Sequence, residues 1–215
     1  IDAQEKEPAF REPAISEVKK ICNEEPQDVG ARKGLAQIYL NYNNLEDALY
    51  TTEEIFQIDK NEIPWIKGFV MQILSKNPNH IPSYHFLGKL FLYEENFNNA
   101  IEVFKKLRDI APQETLNIIE TLKSDFEKSP ELTYFIGVLY KETGEVNRAL
   151  AIFKKLFEKK PDFVDKIINQ IREITIKNEK VASAYLLLAD IYAFKKDYEQ
   201  AIESLNITKK LIPQK

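Results

Sequence analysis

Read for its apolar positions alone, the chain repeats itself. The stretch "YHFLGKLFLYEENFNNAIEVFKKLRDIAP" (84–112) aligns without a gap with "RKGLAQIYLNYNNLEDALYTTEEIFQIDK" (32–60), "TYFIGVLYKETGEVNRALAIFKKLFEKKP" (133–161) and "YLLLADIYAFKKDYEQAIESLNITKKLIP" (185–213). Apolar residues recur at spacings of three and four, the period of a helix with one buried face. A small residue returns as Ala36, Gly88, Gly137 and Ala189, preceded by Leu35, Leu87, Ile136 and Leu188. An aromatic follows three positions later, as Tyr39, Phe91, Tyr140 and Tyr192, and a second small residue as Ala48, Ala100, Ala149 and Ala201.

Each residue type has a physical reason. Two antiparallel helices approach most closely where side chains are small, so Gly88 and Ala100 mark an expected close crossing, with Phe91, Phe97 and Phe104 filling the groove around it. Pro112 stops the second helix. Asn44, Asn96, Glu145 and Asp197 fall between the two helices, where Asn or Asp caps the second one. Glu145 is a poor cap, and Gly144 before it supplies the turn.

The alanines recur after 52, 49 and 52 residues, more than one helix pair needs. The surplus carries its own stripe: Val18, Val70, Ile119 and Ile171, each followed three residues on by Ile21, Ile73, Leu122 and Ile174. That spacing predicts extra helices near 13–25, 63–76, 114–128 and 163–177, twelve helices altogether, in modules of about 13–60, 61–112, 113–161 and 162–215. The three-residue deficit of the third module falls between Phe104 and Leu116, where it shortens a connection. An odd number of helices per module would invert successive modules if directions simply alternated, so the extra helix is expected to lie across the stack. Residues 1–12 lack a period and read as a flexible lead-in.

Composition agrees with an all-α chain: 215 residues hold only 6 glycines, against 30% charged and 44% hydrophobic residues. A net charge of -4 excludes the dense basic surface that nucleic acid requires. Residues 1–60 are the acidic end, with 7 Lys and Arg against 13 Asp and Glu. No apolar run is long enough to span a membrane. The start at Ile1 reads as an excised segment of something longer. One cysteine is compatible with cytosol or periplasm. A cytoplasmic setting is the reading taken, with a periplasmic or membrane-anchored protein as the alternative.

The repeat resembles the tetratricopeptide repeat, whose helix-turn-helix unit places small, aromatic and proline residues in this order. The resemblance covers 29–60, 81–112, 130–161 and 182–213. It departs from the family in its period of about 50 rather than 34 residues, and in having Arg32, Tyr84, Thr133 and Tyr185 where the family carries tryptophan. It implies an all-α solenoid, a superhelix of the tetratricopeptide type with four three-helix modules. It also implies a non-catalytic scaffold that binds a partner protein or peptide, a peptide- or ligand-sensing regulatory domain being the alternative. In that family the exposed face of the first helix lines a groove for an extended or helical peptide. The matching positions here are Lys33, Gln37, His85, Lys89, Tyr134, Lys141, Leu186 and Asp190. Lys33 and Lys89 followed by Tyr134, Val138 and Asp190 do not make the paired cationic clamp that a terminal carboxylate needs.

Catalytic or metal chemistry has little to stand on, and no cofactor is expected. Cys22 lies beside the apolar stripe with no histidine nearby in sequence and reads as a small core residue. His80 and His85 lack a carboxylate or thiol at ligand spacing. Trp65 reads as core, and the runs Lys105, Lys106, Arg108 and Lys154, Lys155, Lys159, Lys160 as a solvated outer face. In the last helix Thr208 replaces the Ile55, Leu107 and Leu156 of earlier copies. That end is half capped and is expected to dock a further module or to self-associate.

Overall fold

The computed structural model describes residues 7–122 and 129–212, and among them the chain is helical without a strand. Twelve α-helices are seen there, in two compact units that divide between Glu95 and Asn96. The first unit holds α1 (Glu7–Glu24), α2 (Val29–Asn41), α3 (Leu45–Ile58), α4 (Ile63–Lys76) and α5 (Ile81–Tyr93). The second holds α6 (Phe97–Ile110), α7 (Pro112–Leu122), α8 (Pro130–Glu142), α9 (Val146–Lys159), α10 (Val164–Lys177), α11 (Ala182–Phe194) and α12 (Tyr198–Leu211). The all-α, repeat-built class expected from the sequence is the class observed.

Extra helices α1, α4, α7 and α10 stand where the second stripe placed them. Helix α1 begins at Glu7, so residues 7–12 of the expected lead-in are helical, while residues 1–6 lie outside the described residues. Residues 123–128 of the expected third extra helix also lie outside them. Burial explains the stripe: Val70, Ile73, Ile119 and Ile171 are fully buried, because α4, α7 and α10 each pack against both the helix before and the helix after. The module's short connection has a definite form. A 3₁₀ turn, Lys60–Glu62 or Pro161–Phe163, precedes α4 and α10, whereas Pro112 opens α7 one residue after α6 ends. The three-residue deficit is that missing turn.

The junctions inside the pairs are alike. Asn43, Glu95, Gly144 and Lys196 all take a left-handed conformation, with φ of 58°, 55°, 83° and 61°. Around Asn43, the Asn44 amide donates to the Tyr39 carbonyl and the Asn43 amide to that of Leu40, an arrangement repeated at Glu145 and Gly144 and at Asp197 and Lys196. The residue that closes one helix then caps the next. Asn44, Asn96 and Asp197 accept from the amides of Asp47, Asn99 and Gln200, and Glu145 makes no such bond.

Helix direction differs from the expectation that the extra helix lies across the stack. At one end of α2 the Lys33 ammonium meets the Glu62 carboxylate at 2.6 Å, and at the other Lys76 Nζ, in the last turn of α4, donates to the Leu40 carbonyl at 2.7 Å. Start meets start and end meets end, so α4 runs alongside α2 in the same sense. In the second unit α10 does the same beside α8, with Phe163 against Tyr134 and Glu173 against Lys141. Directions therefore alternate, and the physical reason is that these end-to-end ion pairs and ring contacts favour a helix lying lengthwise. Within each unit, successive first helices consequently run in opposite senses.

Candidate partner-binding site

The alternation decides which first-helix positions are open. Lys33, on α2, is half-buried, pairs with Glu62 and sits 5.1 Å over the Trp65 ring, which itself stacks on Phe69. Tyr134, on α8, is wedged between Phe153 and Phe163, at 6.1 and 6.0 Å between ring centres, and its hydroxyl pKa is pushed up chiefly by burial. Lys141 is buried, with 3% of its side chain exposed, and its ammonium lies against the carboxylates of Glu142 and Glu173. These three residues face α4 or α10 rather than a groove, and the charge of Lys141 is internal to the fold.

The remaining positions behave differently. Gln37 is exposed and donates to Asn41 Oδ1 at 2.9 Å, His85 is half-buried, and Lys89 is exposed. Leu186 and Asp190 are exposed on α11, which no extra helix follows among the described residues. Exposed Phe194 lies on the same side of α11, its edge against the Phe157 ring at 5.3 Å. Within its own unit, then, each of Lys33, Tyr134 and Lys141 is more enclosed than the exposed positions. The fold brings Leu186 and Asp190 together on an open surface, closes Lys33, Tyr134 and Lys141 beneath extra helices, and leaves Gln37 and Lys89 in the first unit.

The signal that could have marked Lys141 was present in the alignment. Leu40, Leu92 and Ala193 occupy the same place in the other copies, so a lysine there needed an internal partner. A surface feature that sequence reasoning missed lies on α12, where Tyr198, Ile202 and Leu205 are 63%, 58% and 48% exposed. These are turns i, i+4 and i+7 of one stripe. Ala201, Ser204 and Thr208 on the neighbouring side are buried, toward the α11 that α12 packs against.

Elsewhere the chemistry is structural. A cleft of about 230 Å³ in the first unit is lined by Lys19, Cys22, Arg32, Asp47 and Glu54 among others. Burial pushes the Cys22 thiol pKa up, which suppresses the thiolate. His80 is buried, its Nδ1 2.8 Å from Ser83 Oγ and its Nε2 3.6 Å from Glu46. Among the described residues no group of His, Cys, Asp and Glu could hold a metal ion, and no helix is long and apolar enough to cross a membrane.

The tetratricopeptide repeat family model matches residues 81–114 and 182–206, the stretches that begin with α5 and α11. Among solved structures the chain is similar to YrrB, described as a tetratricopeptide repeat protein with an unusual peptide-binding site, at 16% identity over 92% of this chain and 93% of that one, with a TM-score of 0.25. It is similar to a tetratricopeptide repeat protein from Parabacteroides merdae at 16% identity, over 97% and 90%, with a TM-score of 0.27. It is also similar to MamA from Desulfovibrio magneticus RS-1 at 13% identity, over 94% and 85%, with a TM-score of 0.23. No curated protein sequence matches the chain.

Proposed function

We propose that this tetratricopeptide-repeat chain, with its third helix in every repeat, is a non-catalytic scaffold that binds a helical segment of a partner protein at its α11 and α12 end. One observation carries the reading. Leu186 is exposed on α11, whereas its equivalents Lys33 and Tyr134 are half-buried against Glu62 and Phe163, at the entries to the extra helices. An apolar seat beside a polar Asp190 suits an amphipathic helix, which lays one face into a groove and keeps the other in water. Of the sequence-derived binding positions, Leu186 and Asp190 belong to this seat. Gln37, His85 and Lys89 offer a separate polar surface in the first unit.

The test is capture of partners with the 215-residue chain, repeated with Leu186→Asp and Lys89→Glu. Loss of a partner with Leu186→Asp supports the seat, and loss with Lys89→Glu assigns the contact to the first unit instead. Recovery of the same partners by both variants overturns the assignment of the face. A second reading, ligand sensing, has the Arg32-lined cleft in its favour. Protection of the first unit from proteolysis by a short peptide would support it.

A further inference from the structure

Helix α12 carries a docking surface of the kind that two earlier helices, α3 and α9, use. At the first, fifth and eighth positions of α3 stand Leu45, Leu49 and Thr52, exposed by 6%, 4% and 0%. The fifth and eighth positions of α9, Leu150 and Phe153, are closed to 5% and 0%. In each case the helix packs against the extra helix that follows, α3 on α4 and α9 on α10. At α12 the same positions are Tyr198, Ile202 and Leu205, more apolar than in α3, and open.

The opposite deficiency marks α1. Ile66, Val70 and Ile73 of α4, and Ile167, Ile171 and Ile174 of α10, are exposed by no more than 2%. Their counterparts on α1 are Ala14, Val18 and Ile21, which are exposed, half-buried and 38% exposed. Among the described residues α1 packs chiefly on α2, whereas α4 packs on both α3 and α5. The residues left open on α1 are therefore the ones an extra helix turns toward a preceding pair. Among the described residues, no extra helix packs on the outer side of α12 and no pair packs on the outer side of α1.

We propose that the seat formed by Leu186 of α11 and Tyr198, Ile202 and Leu205 of α12 takes helix α1 of a second copy of this chain. The proposal rests on the reading that this seat binds a helix, and it names the helix. Charge fits the same register. The last turn of α12 carries exposed Lys209 and Lys210, and α1 carries exposed Glu12 and Glu17 within the acidic 1–60 stretch. In the internal junctions the end of a second helix lies a few residues from the start of the next extra helix, Ile58 before Ile63, which sets those lysines near the incoming Glu12. The interface joins two different surfaces, so each added copy leaves the same two ends free, and assembly proceeds to rings or filaments unless an end is blocked.

Sedimentation velocity and light scattering over a concentration series test this with the 215-residue chain and two surface variants, Ile202→Asp and Ile21→Asp, each checked for native helicity. The parent is expected to grow past the dimer with concentration and to shrink in high salt. Each variant alone is expected to stay monomeric. Mixed in equal amounts they retain one intact seat and one intact α1, and are expected to give a one-to-one dimer that grows no further. If Ile21→Asp associates like the parent while Ile202→Asp does not, α12 pairs with itself and the proposal is wrong. A parent that is monomeric throughout also overturns it, and leaves a further repeat or another protein's helix as the occupant. Capture of a partner that Leu186→Asp abolishes and Ile21→Asp preserves keeps the helix-binding seat while removing the second copy from it.

Discussion

A methyl group added at Gly137 would stand 2.5 Å from Cε1 of Phe153 and 3.1 Å from Cγ2 of Ile152. Helices α8 and α9 therefore meet where one of them has no side chain and the other places a fully buried ring. Gly137→Ala is expected to lower stability by about 1–3 kcal/mol, the usual cost of overpacking a filled core. Gly34→Ala and Gly68→Ala meet open space and are expected to raise it, by up to about 1 kcal/mol, through helix propensity alone. Urea midpoints of the three variants separate the two effects. Phe153→Leu should recover part of the Gly137→Ala loss, since the two sites share one contact.

Lys196 and Gly144 occupy equivalent left-handed turns, at φ of 61° and 83°. Such a conformation costs a residue with a Cβ roughly 1–2 kcal/mol, offset in part by the greater chain entropy that glycine loses on folding. Lys196→Gly is expected to stabilise the α11 and α12 pair by about 0.5–1 kcal/mol, and Gly144→Ala to destabilise α8 and α9 by about as much. Thermal melting gives the sign, and hydrogen exchange places each change in its own helix pair. A Lys196→Gly variant that melts below the parent would show that the turn is not strained.

The turns and the lysines also show what local sequence encodes. Repeat length, the extra helices and the Asn44, Asn96 and Asp197 caps were legible because helix period and capping depend on residues within a few positions of one another. The deficit before Leu116 was legible as a shortened connection, and the structure identifies what is missing as a 3₁₀ turn. Left-handed Glu95 and Lys196 were not, because of the four turns only Gly144 and, more weakly, Asn43 announce that conformation by residue type. The covering of Lys33 by Glu62 and of Lys141 by Glu173 was not legible either. Periodicity says which side of a helix is apolar, and a charged residue satisfied by a partner 29 or 32 positions away looks the same as one satisfied by water.

Glu142 supplies an acid-side prediction. Its side chain is 12% exposed, 3.0 Å from Lys141 Nζ and 3.5 Å from Arg108 Nη1, which also donates to the Glu142 carbonyl at 2.6 Å. Burial works to raise the carboxyl pKa, but the hydrogen bond and charge of Lys141, with Lys177 and Lys105 behind, hold it below 4.5. A lowered folded value means stability that is complete above the unfolded pKa of about 4.5 and lost as pH falls through the folded one. Glu142→Gln is expected to lose about 1–3 kcal/mol at neutral pH, less than a fully unpaired buried charge would cost because Glu173 still faces Lys141. Urea titrations from pH 7 to 3 should show the parent converging on the variant.

Tyr140 supplies the alkaline counterpart. Its hydroxyl donates to Glu120 Oε1 at 2.7 Å, linking α8 to α7, and Arg148 Nη1 lies 3.2 Å from the same oxygen. Burial first, then the hydrogen bond to Glu120 and that residue's charge, push the phenol up from 10.0 to about 12. For an acid whose folded pKa is raised, the stabilisation is whole below the unfolded value near 10 and disappears as pH climbs through about 12. Tyr140→Phe removes the titration and the bond together. At neutral pH it is expected to cost about 1 kcal/mol or less, since Glu120 is 44% exposed and keeps water and Arg148 as partners. Between pH 10 and 12 the parent should lose stability faster than the variant, so the two unfolding curves approach each other. Parallel curves across that window would mean the phenol ionises as it does in the unfolded chain, and the link between α7 and α8 contributes nothing to the protonated state.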